Sequence, residues 1–314
     1  MAAVTGRVAF FGSPEFAVPS LRALAAAGYA IPLVVTQPDR PAGRGGRLTP
    51  PAVKTAALEL GLPVAQPESV RTAEFAAQIE GLALDAAVVA AYGKILPQRL
   101  LDIPRRGFVN VHASLLPRWR GASPITAAIL AGDTITGVSI MQLVLKMDAG
   151  PVISRAEEPI RPDDTAGTLE ARLADLGARE LVRVLPGWLD GTLTAEPQDE
   201  ALATYCGLVR KEDGRLRAAM TAAEAERAVR AYDPWPGAFV LYRGEPLRIW
   251  RGRVAEGPAA PAGAMRLLDG EPAIRFADGW LVLVEVQRPG GRRAPGRAFA
   301  AGERGQLEPV VGLA

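Results

Sequence analysis

Along the first half of this chain, short apolar runs alternate with longer amphipathic stretches, and Gly or Pro stands at most of the joins. Residues 8–11 read as a strand, ended by Gly12-Ser13-Pro14. Residues 15–27 repeat with helical period and close on Gly28, a residue suited to a helix C-terminus. Residues 31–36 predict a second strand, and residues 51–60 a helix stopped by Gly61. Two buried strands are expected at 86–90 and 107–111, a helix at 122–131 ending at Gly132, and an alternating strand at 137–144. This β-α rhythm predicts an α/β fold: a Rossmann-like, mostly parallel sheet with helices on both faces. In such sheets the ligand lies beyond the carboxyl ends of the strands.

Residues 169–189 predict one helix or a broken pair, followed by a polar stretch. Beyond residue 205 the texture changes. One amphipathic helix at 221–232 precedes short β-like runs at 239–242, 247–251, 264–268, 273–276 and 280–286, with Gly and Pro between them. Several short strands with one helix suggest a small, OB-like β-barrel. The expected division is a catalytic domain at 1–189, a linker at 190–205 and a C-terminal domain at 206–314.

Composition narrows the class. A chain of 314 residues, 49% hydrophobic and 22% charged, has material for about two globular domains with ample cores. No apolar run reaches the roughly eighteen residues of a membrane span. The opening residues lack the basic and apolar segments of a secretory signal. The single Cys206 excludes an internal disulfide and a Cys-rich zinc site. A cytoplasmic protein is the expectation. The net charge of +2 is uneven: residues 206–314 carry 17 basic against 13 acidic side chains. A mildly basic C-terminal part is compatible with a polyanionic partner.

Candidate chemistry centres on His112, the one histidine, in Asn110-Val111-His112-Ala113-Ser114-Leu115-Leu116-Pro117. His is the side chain that ordinarily exchanges a proton near neutral pH. At a strand end, Asn110 and His112 point to the same side. An amide donor beside an imidazole suits a carbonyl that becomes an oxyanion. Asp148, before a Gly turn, either orients that imidazole or serves ordinary turn chemistry. Gly12-Ser13-Pro14 lacks the dinucleotide-binding glycine pattern, which argues against NAD or FAD. The stretch 37–50 is long and basic for a βα connection. Its Arg40, Arg44 and Arg47 either contact phosphates and base edges or belong to a plain surface loop.

Asn110 to Gly121 resembles the signature of folate-dependent formyltransferases, and Asp148 matches their partner aspartate. The 37–50 loop, Ala91-Tyr92-Gly93-Lys94-Ile95-Leu96-Pro97 and Asp233-Pro234-Trp235-Pro236-Gly237 extend the likeness to the methionyl-tRNA formyltransferase family, essentially end to end. Asp233 stands where that family usually has Asn, the 216–220 segment lacks its usual Trp, and Gly45-Gly46 replace a place for Lys. The resemblance implies formyl transfer from 10-formyltetrahydrofolate to the α-amino group of methionine on initiator methionyl-tRNA. Asn110, His112 and Asp148 are then catalytic, and Ser114, Leu115, Leu116 and Pro117 hold folate. Arg40, Arg44 and Arg47 meet the tRNA acceptor stem. No metal, no membrane and a monomeric chain are expected. The alternatives are formylation of a small amine (a nucleotide sugar or glycinamide ribonucleotide), 10-formyltetrahydrofolate hydrolysis, or an inactive tRNA- or folate-binding module.

Overall fold

Strand Val8–Gly12 is apolar or Gly at every position, and all five residues are buried. A strand covered on both faces needs such a run, because neither face meets water. The computed structural model describes residues 6–42, 47–217, 219–304 and 306–310. Among these, Val8–Gly12 sits inside a seven-stranded sheet. Its order is Val152–Pro159, Ile135–Gln142, Phe108–His112, Ala86–Ala90, Val8–Gly12, Val34–Val35, Val64–Ala65. Pairings from Phe108–His112 to Val64–Ala65 are parallel, and the two strands at the other edge are antiparallel. The mostly parallel sheet agrees with the sequence reading. Strand Val152–Pro159 went unexpected because it lies at the sheet edge and its sequence, Val152-Ile153-Ser154-Arg155-Ala156-Glu157-Glu158-Pro159, shows no regular alternation of apolar and polar residues. From Val8–Gly12 the chain steps outward on one side, then returns to Ala86–Ala90 on the other, making a switch point between their carboxyl ends.

Phe11 packs edge-on against Phe75, Tyr92 and Phe108 at the heart of this sheet's core. Helices Val18–Ala26, Ala52–Glu59 and Pro124–Ala131 fall inside the expected spans, and 169–189 is one helix, Ala166–Asp190. The basic stretch 37–50 is a β-hairpin, Arg40–Ala42 paired with Arg47–Thr49. Asp39 secures its base, accepting from Lys54 at 2.8 Å and from Gln66 at 2.7 Å. Hydrogen bonds from Gln66 and then Lys54 hold the Asp39 carboxyl below its usual range.

The chain divides into two units, one of Met1–Pro124, Ile135–Pro159 and Glu170–Cys206, the other of Ile125–Thr134, Ile160–Leu169 and Gly207–Ala314. The second unit therefore takes in more than the expected C-terminal domain. Residues 190–205, read as a linker, lie on the first unit. Glu196 and Val152 exchange backbone hydrogen bonds of 2.8 Å, and Tyr205–Cys206 pairs in parallel with Arg120–Gly121.

In the second unit, helix Ala222–Ala231 starts at a capping box in which Thr221 and Glu224 satisfy each other's backbone amides. Its buried Ala225, Ala228 and Val229 pack with Val240, Ile249, Phe276, Leu283 and Phe299. These strands form a barrel-like antiparallel sheet ordered Ala238–Tyr242, Glu245–Ala255, Trp280–Gln287, Glu271–Arg275, Met265–Leu268. Register shifts between Ile249 and Gly252 let the long strand bend within it.

Replacing Phe11 by Ala removes a fully buried ring and three aromatic contacts. We expect a loss of about 3–5 kcal/mol in the unfolding transition of the first unit, measured by urea denaturation.

Candidate active site

The strand Phe108–His112 is buried at all five positions and ends beside the switch-point crevice. Strand alternation puts Asn110 and His112 on one side. They are 8% and 6% exposed. The Asn110 side-chain amide makes no hydrogen bond to any described residue. A nearly buried amide with its hydrogen-bonding capacity free is uncommon and calls for a ligand or water partner.

Beyond His112 the chain loops and returns, with Trp119 in the left-handed region at φ 58. This brings the Trp119 carbonyl 3.0 Å from His112 Nε2. A carbonyl only accepts, so Nε2 carries the hydrogen. The ring's other nitrogen, Nδ1, faces Asp148 Oδ1 at 3.8 Å. That is ion-pair range and too long for a hydrogen bond. A neutral ring therefore presents a lone pair at Nδ1, and a proton gained there faces a carboxylate.

Asp148 is aimed by its backbone and by one amide. It sits at φ 47, an uncommon conformation for a residue with a side chain. Its Oδ2 accepts from the Gly121 amide at 2.8 Å. Gly121 has φ 120, and a Cβ there would lie 2.0 Å from the Cys206 carbonyl, so only glycine brings that amide to Asp148. Burial first, and the Asp148 charge further, push the Cys206 thiol up, which disfavours the thiolate.

The proposed folate segment is built from within. Ser114 is buried, and its hydroxyl donates to the Arg118 carbonyl at 2.6 Å. Ser139 Oγ donates to the Ser114 carbonyl and accepts from the Leu116 amide, while Arg155 Nε donates to the Leu116 carbonyl at 2.7 Å. Ser114 and Leu116 thus point inward, leaving Leu115 and Pro117 half-buried at the surface of the segment. Arg40 is exposed on the hairpin and donates to Gln37 at 3.4 Å. Arg44 and the Arg47 side chain lie outside the described residues.

The sequence reading missed a polar network behind the site. Arg120 has no exposed surface. It donates to Gln198 at 3.0 Å, Tyr205 at 3.2 Å and Glu200 at 2.9 Å. Burial works against its charge, but the hydrogen bonds it donates to Glu200 and Tyr205 outweigh that and hold its pKa above the ordinary value. Glu200 also receives Lys146 Nζ at 2.7 Å. No sequence signal marks Gln198 or Glu200, which sit in an ordinary polar stretch. Among the described residues, no group of three or more His, Cys, Asp or Glu is placed to hold a metal ion. None of their helices is long and apolar enough to cross a membrane.

A Rossmann-like sheet followed by a barrel-like domain is here a formyltransferase architecture, as two family matches show. Residues 6–185 match the family described as formyl transferase, and residues 208–304 match the formyl transferase C-terminal domain. The methionyl-tRNA formyltransferase of Chloroflexus aggregans is 48% identical over 299 residues, spanning 94% of this chain and 97% of that protein. That of Methylococcus capsulatus is 47% identical over 294 residues, or 93% and 96% of the two chains. The chain belongs to the methionyl-tRNA formyltransferase family. Among solved structures, the N-formyltransferase of Helicobacter canadensis shares the fold at a TM-score of 0.65 and 15% identity, over 90% of this chain and 98% of that one. HypX from Aquifex aeolicus, solved with tetrahydrofolic acid, does so at 0.63 and 16%, over 96% of this chain and 48% of that one.

Hydrogen bonds from Arg120 and then Lys146 lower the Glu200 carboxyl from its ordinary 4.5 to about 2. A lowered pKa contributes stability above the unfolded value that is lost as pH falls through the folded one. The melting-temperature gap between the wild type and Glu200→Gln should therefore hold steady from neutral pH down to 4.5, then narrow toward about 2. A gap unchanged across that window would show that the carboxylate charge adds nothing.

Proposed function

We propose that the chain transfers the formyl group of 10-formyltetrahydrofolate to the α-amino group of methionine on initiator tRNA. The observation that carries this reading is the nearly buried, unpartnered Asn110 amide beside a His112 ring already pinned at Nε2. Asn110 donates to the formyl oxygen as that oxygen gains negative charge. A donor fixed in place before the reaction contributes about 3–4 kcal/mol to lowering such a barrier. As the amine nitrogen bonds to the formyl carbon, His112 takes its proton at Nδ1. Asp148 faces the imidazolium so formed. His112 then returns the proton to the folate nitrogen from which the formyl carbon separates. Formyl is thereby exchanged between two nitrogens with no net gain or loss of protons.

The half-buried Leu115 and Pro117 suit the flat apolar face of a folate ring, while Ser114 and Leu116 shape the segment from inside. The reading is supported by the activity of the methionyl-tRNA formyltransferases that the chain resembles and by the tetrahydrofolic acid complex of a protein sharing the fold. Arg40, Arg44 and Arg47 meet the acceptor stem. The basic excess of residues 206–314 adds attraction for any tRNA backbone. The reaction uses no metal, and the enzyme works as a cytoplasmic monomer.

The direct test is transfer of labelled formyl from the folate donor into acid-precipitable initiator methionyl-tRNA, with a nucleotide amino-sugar as the competing acceptor. Formylation of the sugar alone would assign the site to small amines, and release of free formate alone would make it a hydrolase. In single-turnover assays with saturating tRNA, Asn110→Ala and His112→Ala should each slow transfer by about 100-fold or more, with donor binding nearly unchanged. Near-normal chemistry in either variant removes that residue from the reaction.

Arg44→Ala should lower kcat/KM for initiator tRNA far more than formylation of a minimal methionine ester. An Arg reading base edges contributes about 1–3 kcal/mol of discrimination, whereas one on phosphate weakens all tRNAs alike. Comparing initiator with elongator methionyl-tRNA at two salt concentrations separates these roles. Equal loss on both tRNAs makes Arg44 a phosphate anchor.

A further inference from the structure

Asp148 reaches its place through a backbone conformation that residues with side chains adopt uncommonly, so something must hold it there. The side-chain amide of Gln198 is bonded on all sides. Its Nε2 donates to the Asp148 carbonyl at 2.8 Å and to the Gly150 carbonyl at 2.7 Å. Its Oε1 accepts from the buried Arg120 at 3.0 Å. Arg120 offers only donors, so the amide has one orientation: oxygen to Arg120 and nitrogen to the loop. Glu200, two residues on, accepts from both Arg120 and Lys146, gripping the same loop from its other end. Gly150 is pressed against the Gln142 carbonyl, where a Cβ would lie at 1.8 Å, so the loop packs closely there and tolerates no side chain.

We propose that Gln198 is a positioning residue for formyl transfer: it clamps the left-handed turn at Asp148 and so keeps the carboxylate aimed at Nδ1 of His112. This rests on the reaction proposed above, with Asp148 acting through His112. Gln198 does not touch either substrate. Its two donated bonds fix the carbonyls of Asp148 and Gly150, the residues on either side of Ala149, while Gly121 fixes Oδ2. With either anchor gone, the turn can relax to a commoner conformation and swing Oδ1 away from the ring.

Gln198→Glu tests this with little change of shape. The oxygen that replaces Nε2 faces two carbonyl oxygens and has no hydrogen to give, while the other oxygen still accepts from Arg120. We expect kcat to fall by about tenfold or more, with KM for donor and tRNA within about twofold of wild type. The ring signals of His112, the only imidazole in the chain, should move in the NMR spectrum. The decisive arm is a double-mutant cycle with Asp148→Ala, because removing the carboxylate leaves nothing to aim. There the added loss from Gln198→Glu should shrink to about twofold or less, since residues acting as one unit are non-additive.

If Gln198→Glu does not fold, Gln198→Met, which keeps the length without donors or charge, enters the same cycle. A full additional loss in the Asp148→Ala background, or normal kcat in the folded single variant, overturns the positioning role. Slow Asp148→Ala with fast Gln198→Glu overturns only this inference. Wild-type rates in Asp148→Ala remove the carboxylate from the reaction and this inference with it.

Discussion

The hydrogen bond from the Gly121 amide to Asp148 is the contact on which the arrangement of the site depends. It joins two pieces of chain around His112, the return strand after it and the loop after strand Ile135–Gln142. It also sets strict terms. Gly121 can be nothing but glycine, because the Tyr205–Cys206 strand pairs alongside it and puts the Cys206 carbonyl where a Cβ would stand. Asp148 must hold a left-handed backbone for its carboxylate to reach both that amide and the ring. Such strain persists where the surroundings over-determine a residue, and here four bonds tie the loop to two segments, at Gly121 and at Gln198 to Glu200.

The burial of Arg120 fits the same logic. Sequestering a guanidinium is costly unless hydrogen bonds match its donors. Gln198, Glu200 and Tyr205 answer it from a single stretch, so that stretch has one way to lie against the site. A segment with little apolar content is thus ordered by a cation, not by a core. The basic hairpin is founded on a similar device. Asp39 ties its base to Lys54 and Gln66, and Arg40 beside it is exposed.

Asn110 and His112 stand out in the sequence because strand alternation alone puts positions i and i+2 on one side, and an apolar run before them marks the strand. The helices were legible from their periodicity and from glycines that close them, as at Gly28, Gly61 and Gly132. Strand Val152–Pro159 was not, since an edge strand carries charge like any surface segment. The hairpin within 37–50 was not, because its anchors lie at Lys54 and Gln66 and its own residues carry no apolar alternation. Gln198 could not have been found: a lone amide in a polar stretch has no pattern, and its partners are backbone carbonyls about fifty residues away, as at Asp148 and Gly150.

Local chemistry therefore determined the β-α order, the strand that carries the amide and the imidazole, the barrel-like second domain and the basic stretch. These follow from periodicity and from the conformational limits of glycine and proline, which act over a few residues. Tertiary structure alone decided which nitrogen of His112 is free, that Asp148 faces it, and that Ser114 and Leu116 turn inward. It also laid residues 190–205 along the first unit, where the sequence suggested a linker. Each of these depends on where a distant carbonyl, amide or carboxylate comes to rest. Backbone groups are the same in every residue, so no pattern of side chains announces which of them will meet.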